Sequence, residues 1–433
     1  METVTVIGGG LAGTEAAYRM ANEGIKVILY EMKPEKQSPP HKTDKLAELV
    51  CSNTLGSMDI TSASGLLKME MGMLGSLVVE AGKYAYIQAG SALAVDRNIF
   101  SDYITQRILS HPNIEVRREE VKKVPRDGVV IVASGPLTSP DLEMDIKELV
   151  GFDHLYFYDA ISPIVEAESV DYTKGFWASR YGKGGNDYFN CILTEEDYRL
   201  FYEELIKAEQ VKPKDFEKAL YFEGCMPIEE MASRGYKTLL FGPMKPVGLS
   251  NQEGKPFAVL QLRKENREGT LLSLVGFQTK MTHREQKRVL KLIPCLRNAV
   301  FLRLGSMHRN TFIQSNRVLT PFLNMRKYES IFFAGQITGV EGYVASAATG
   351  ILAGRNAERL VKRKKTIALP KETMLGSLID YITSKEGELQ PMGPAMGLLP
   401  PLDLRVKDKQ EKKRLLSERA LKILKLFLEK EVD

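Results

Sequence analysis

Cysteine, histidine and tryptophan are scarce in this sequence: its 433 residues hold four, five and one of them. Cys51, Cys191, Cys225 and Cys295 stand far apart, with no C-x-x-C pair. That spacing excludes a dithiol redox centre and a structural zinc site, and it argues against a disulfide framework. It predicts a chain suited to a reducing cytoplasm. His41, His111, His154 and His283 show no ligand spacing, so no metal site is expected. No apolar run approaches the ~18 residues of a membrane-spanning helix, so no membrane partner is expected either. The apolar start of the chain is broken by Gly8, Gly9 and Gly10, without a basic stretch before it or a cleavage site after it, which predicts no targeting segment. Internal repeats and low-complexity tracts are absent.

What is present is the makeup of a globular protein, 43% apolar and 27% charged. The length predicts two or three domains at about 150 residues each. A net charge of +5 permits a nucleic-acid partner without requiring one. Val4–Ile7 reads as a buried strand, 8–13 as a turn, 14–22 as a helix ended by Gly24, and 25–30 as a second strand closing on Glu31. The polar stretch 32–57 reads as loop, 66–80 as a Met- and Leu-rich helix, and 129–133 as another buried strand. From about Pro163 to Arg284, Tyr, Phe, mixed charge and Gly-rich turns predict an inserted domain, 163–284, within a discontinuous domain made of 1–162 and 285–433. Residues 331–334 read as a strand leading into a small-residue helix from Gly342 to Ala357. A last helix, 415–431, sets Leu416, Ala420, Ile423, Leu424 and Phe427 on one face.

Gly8-Gly9-Gly10-Leu11-Ala12-Gly13 satisfies G-x-G-x-x-G, with a strand before it, a helix after it and Glu31 some 20 residues on. Gly8 permits the tight turn, Gly10 lets the backbone approach a pyrophosphate, and Gly13 lets helix and strand pack closely. The helix N-terminus offers free N–H groups to the phosphates, and Glu31 can accept from ribose hydroxyls. The fingerprint does not separate NAD from FAD. A second strand–turn–helix, IFFAGQITGVEGY, brings Gly335, Gln336 and Gly342 late in the chain, as in two-part FAD folds, so FAD is expected. Gln336 stands where many FAD proteins carry Asp, yet its amide can still bond a ribityl chain or phosphate. The run Lys183-Gly184-Gly185 lacks the phosphate-loop pattern and reads as a surface turn.

Further segments are ELVCSNTLGS around Cys51, EGCMPIEEMASRG around Cys225, TLLFGPMKPVGL, LVGFQTKM, GSMHRNTFI and QPMGPAMGLLPPL. With the two glycine turns they resemble the TrmFO family of folate- and FAD-dependent tRNA (uracil-5-)-methyltransferases, from residue 1 to about Leu404. The Cys225 segment and FGPMKPVGL are specific to that family. LVGFQTKM, MHRNTFI and FAGQITGVEGY are shared with the related MnmG (GidA) flavoproteins, whose C-terminal helical domain this chain has no room for. The resemblance implies an α/β fold: a Rossmann-type, glutathione-reductase-like FAD-binding domain with an inserted α/β domain. It also implies methyl transfer to carbon 5 of the T-loop uridine at tRNA position 54. Methylenetetrahydrofolate would give the carbon, and NADH or NADPH would give electrons through the flavin. A related flavoenzyme acting on another uridine, in tRNA or ribosomal RNA, is the alternative; an RNA-binding flavoprotein without catalysis is a third reading.

Carbon 5 of uracil becomes nucleophilic once a thiolate adds at carbon 6. Cys225, between Gly224 and Met226-Pro227 with Arg234, Lys237 and Lys245 following, is the expected nucleophile. On residues alone, Cys225 reads more readily as a small buried hydrophobe, and the resemblance reverses that reading. The resemblance also implies that Cys51 is the base removing the carbon-5 proton, against packing at the end of the 46–50 apolar run. It implies that His308 stacks on the folate pterin. Cys191 and Cys295 read as structural. A stacked target base must be extruded, and Lys33, Lys36, Lys42, Arg263, Lys264, Arg284 and Lys287 are the expected phosphate contacts.

Overall fold

Short runs of apolar residues such as VTVI, VILY and IFF are buried on both faces, which is the signature of a parallel sheet between helices. In the computed structural model, which describes residues 3–38, 40–151, 155–211, 226–249, 255–403 and 405–432, these runs form a five-stranded parallel sheet. (The side chains of residues 155, 157, 158, 308, 309, 431 and 432 lie outside the description.) Its strand order is Ile331–Phe333, Val130–Val132, Val4–Ile7, Val27–Tyr30, Ile114–Arg117. The central strand Val4–Ile7 feeds the helix Leu11–Asn22, so the glycine turn sits at the carboxyl edge of the sheet, where ligands bind in such folds. The late helix Tyr343–Val361 crosses the first one at close range. A Cβ on Gly350 would lie 2.2 Å from the Ala12 carbonyl oxygen, and one on Gly354 would lie 2.9 Å from Ala16.

A second sheet is antiparallel and six-stranded, in the order Gly175–Trp177, Tyr188–Leu193, Ala258–Lys264, Leu271–Leu274, Ile164–Glu166, Phe301–Arg303. Its own core holds Phe189, Tyr198, Phe201 and Phe277, and helices Glu195–Lys207 and His283–Leu290 contribute to it. The expected end of the insert at residue 284 is therefore too early. Residue 284 lies inside a helix whose Val289 and Leu290 belong to the second core, and the second sheet is completed only at Arg303. An antiparallel ribbon, Leu155–Ala160 with Met307–Phe312, links the two units.

Two other expectations are corrected. Residues 66–80 form two helices, Ala63–Met73 and Leu77–Tyr84, because Gly75 turns at φ +80° and the Ser76 hydroxyl caps the second by accepting from the Val79 N–H. Cys191 and Cys295 form a buried disulfide with Cα atoms 5.9 Å apart, against the expectation of none. Their 104-residue separation hid the pairing, since only the second core brings Tyr188–Leu193 and the turn Pro294–Leu296 together. The last helix, Lys409–Val432, buries Leu416, Ala420 and Leu424, and the Ser417 hydroxyl donates to the Ile60 carbonyl at 2.8 Å. Among the described residues, no helix is long and apolar enough to cross a membrane.

Candidate functional site

The glycine turn opens onto a long groove. Gly8, Gly9, Gly10, Leu11 and Ala12 line one end with Glu31, Ser134–Thr138 line its side, and Gly335, Gln336, Tyr343 and Ser346 line the other end. Glu31 is fixed by two backbone donors: the N–H of Gly9 at 3.1 Å and the N–H of Lys33 at 3.0 Å. The helix that follows starts at Gly10 without any side-chain cap, so its first-turn N–H groups face the groove. A Cβ on Gly10 would meet nothing within 4 Å, so a side chain there would occupy the groove itself. Gly13 does not line it. A Cβ on Gly13 would fall 1.8 Å from the Gly8 carbonyl oxygen, so this glycine holds the turn against its helix. An uncapped helix end, open space over Gly10 and an oriented carboxylate 21 residues on fit a dinucleotide such as FAD.

The groove runs into a second cavity, with Val50, Pro136, Leu137, Gln336 and Tyr343 shared between them. Cys51, Asp159, Asn310, Glu341 and Gly342 line this inner part. The segment carrying Cys51 is clamped by two half-buried cations. Arg97 donates to the carbonyls of Leu49 at 2.7 Å and Cys51 at 3.0 Å, and Arg303 donates to Val50 at 2.6 Å. Arg97 is itself held by Glu265 at 2.7 Å. The Cys51 N–H donates to the Tyr343 hydroxyl oxygen at 2.6 Å. Two guanidinium groups and a phenol thus fix the backbone that carries the Cys51 thiol. On the opposite wall, the Gln336 amide donates to Glu341 at 2.7 Å, and the Asn310 amide donates to Asp159 at 2.8 Å. Burial pushes the Glu341 carboxyl well above the usual carboxylate range, and the Asp159 charge pushes it the same way. The cavity thus joins a thiol to a carboxyl that favours holding its proton.

Cys51, Gln336 and Gly342 meet in this cavity, with Gly335 just outside it. Cys225 lies outside the described residues, as does the His308 side chain; the His308 backbone pairs with Asp159 across the ribbon. Sequence reasoning missed Arg97, Arg303, Asp159, Asn310, Glu341 and Tyr343. Glu341 and Tyr343 stood in the late glycine motif and were legible as its polar members; nothing near Arg97 or Arg303 in sequence announces them.

The expected phosphate contacts divide. Lys33 is buried, with its Nζ on the Lys45 carbonyl at 2.6 Å and on Glu48 at 3.4 Å, and Arg263 is buried too, so neither is presented on the outer surface. Lys36 is paired with Glu120 at 2.6 Å, and the Lys264 Nζ stands 5.6 Å from the centre of the Trp177 ring. Lys42, Arg284 and Lys287 are exposed. The Lys183-Gly184-Gly185 turn is tied down by Asp187, which accepts from the Gly185 and Gly90 N–H groups, at 3.3 and 2.6 Å.

A family model described as glucose inhibited division protein A matches residues 3–365. The chain is 70% identical over 429 residues to the Aquifex aeolicus methylenetetrahydrofolate–tRNA-(uracil-5-)-methyltransferase TrmFO, covering 99% of this chain and 96% of that one. It is 59% identical to the TrmFO of Hydrogenobaculum sp., with 98% of each chain covered. Among solved structures, Aquifex aeolicus GidA in its form II crystal superposes with a TM-score of 0.71 at 19% identity, over 98% of this chain and 73% of that one. That likeness carries the fold, a Rossmann-type FAD-binding architecture with an inserted α/β unit. By its identity to these relatives over nearly its whole length, the chain belongs to the TrmFO family of methylenetetrahydrofolate–tRNA-(uracil-5-)-methyltransferases.

Proposed function

We propose that this protein methylates carbon 5 of the T-loop uridine at position 54 of tRNA, with methylenetetrahydrofolate as carbon donor, and that it works in the cytoplasm. The observation that carries the reading is the continuity of the groove over Gly10 with the cavity holding Cys51 and Glu341. Gly8–Ala12, Glu31, Gly335 and Gln336 would hold FAD in that groove.

The thiolate of Cys225 adds to carbon 6 of the extruded uracil, and the displaced electron pair lets carbon 5 bond to the one-carbon unit. Loss of the carbon-5 proton to Cys51 expels the carrier and leaves an exocyclic methylene. Hydride addition to that carbon gives the methyl group and expels the Cys225 thiolate, which restores the ring. FAD held by the glycine turn and Glu31 would supply this hydride, with NADH or NADPH as the source of the electrons. Arg97, Arg303 and Tyr343 hold the Cys51 backbone in place for its part. His308, on the ribbon strand opposite Asp159, is assigned to the pterin.

The two thiols are separated by trapping. RNA with 5-fluorouridine at the target should bind wild type covalently, because fluorine cannot leave as a proton does. Cys225→Ala should form no adduct and no product. Cys51→Ala should also be inactive, yet should accumulate adduct with ordinary tRNA. The opposite pattern would exchange the two roles, and full activity in both variants would remove the thiol mechanism.

A further inference from the structure

The inserted unit displays apolar surface that none of the described residues covers. Phe241 ends the short helix Thr238–Phe241 with 81% of its surface exposed; in the loop that follows, Val247 is 57% exposed, and Tyr181, 58% exposed, packs on Gly248 of that loop. Leaving a phenylalanine ring in water forgoes the free energy of burying it. The display is also rigid. Leu239 and Met244 on either side are fully buried, and the Met244 N–H donates to the Leu239 carbonyl at 2.9 Å. The Tyr181 N–H donates to the Gly248 carbonyl at 3.0 Å, and Arg180 donates to the Val247 carbonyl at 3.0 Å and to Gln261 at 3.0 Å. These bonds zip the 180–182 turn to the 245–249 loop. Tyr181 adopts φ +58°, a left-handed conformation that a side chain resists. Its ring lies over Gly248, where a Cβ would come within 2.6 Å of the ring.

Within these two segments the charge has one sign, although the Asp59 and Asp187 carboxylates stand near the Lys183 end. From Arg234 to Leu249 the sequence holds Arg234, Lys237 and Lys245 and no acidic residue, and 180–185 adds Arg180 and Lys183, again with none. Lys245 Nζ stands 5.9 Å from the Tyr181 ring centre, and Arg234, Lys237 and Lys183 are exposed.

Flat rings held rigidly among cations, with no acid in either segment, match unpaired nucleotides. Bases stack on the rings and phosphates meet the cations, without reading sequence. We propose that Tyr181 and Phe241, with Lys245 and Lys183, form a stacking platform for unpaired loop bases of the RNA substrate. This rests on the tRNA reading above. It replaces the buried Lys33 and Arg263 with a surface that can meet RNA.

The test uses the FAD-loaded enzyme and two RNA probes, a stem–loop carrying the T-loop sequence and a fully paired duplex of equal length. Phe241→Ala and Tyr181→Ala should each weaken stem–loop binding about tenfold, with FAD content and melting temperature unchanged. Phe241→Trp should bind like wild type. Neither alanine variant should change duplex binding. Lys245→Gln should weaken both probes and reduce the salt dependence of binding. Wild-type affinity in both alanine variants overturns the platform, as does an equal loss on the two probes. Conversion of a wild-type dimer to monomers by Phe241→Ala in sedimentation, with RNA affinity intact, would make the patch a contact between two copies and also overturn it. If wild type binds neither probe, the tRNA reading itself fails.

Discussion

Two glycines of the first turn have separate duties, and substitution should separate them. Gly10→Ala points a methyl group into open groove, so the apoprotein should melt as wild type does while flavin occupancy, read by absorbance, falls; Gly10→Glu should abolish it. Gly13→Ala forces a contact at 1.8 Å with the Gly8 carbonyl and should cost about 1–3 kcal/mol of stability. Equal flavin content in Gly10→Glu and wild type would contradict the groove assignment. A third residue prediction concerns pH. Glu70 accepts from the N–H groups of Met374 and Leu375 at the start of helix Met374–Ser384, and burial pushes its carboxyl up to about 7. Its folded value exceeds its unfolded value, so its stabilising share is complete below pH ~4.5 and is lost as pH climbs through about 7, by roughly 3 kcal/mol at most. Urea midpoints at pH 5.5 and 8.5 should therefore differ more in wild type than in Glu70→Gln; an identical difference would refute the assignment. At this scale the glycine turn was legible because its chemistry is local, whereas Cys51 was singled out only by the family resemblance. Arg97 and Arg303 were illegible because they reach the Cys51 loop from 46 and 253 residues away.

At the scale of elements, four of the five sheet strands could be read directly as short apolar runs, whereas Ile114–Arg117, an edge strand that exposes Glu115, was missed. The helix expected over 66–80 was misread because its apolar content continues through Gly75 while its backbone does not. The crossing of Leu11–Asn22 with Tyr343–Val361 explains why the late helix is rich in small residues. Gly350→Val should push the two helices apart, cost about 1–3 kcal/mol and loosen FAD, since both helices flank the groove. Gly72, inside Ala63–Met73 with nothing within 4 Å of its Cβ position, is the control: Gly72→Ala should stabilise by about 0.4–1 kcal/mol. Thermal melts of both variants check the pair; a neutral Gly350→Val would mean that the crossing tolerates bulk.

For the whole molecule, two cores divide the labour. The parallel sheet supplies the groove, and the inserted unit supplies the aromatic and basic surface. The insert's far boundary escaped sequence reading because helix His283–Leu290 has the periodicity of any surface helix, and only its packing on Phe277 and Leu296 within the second core assigns it there. The central claim is catalytic and is tested most directly by product mapping. Purified FAD-loaded protein would be incubated with unmodified tRNA transcript, reduced nicotinamide nucleotide and methylenetetrahydrofolate labelled in its one-carbon unit. Nuclease digestion and mass spectrometry should then place one labelled methyl group on the T-loop uridine at position 54. Label on a different uridine would contradict the target, and absence of label from RNA despite full flavin reduction would contradict the methyl transfer itself.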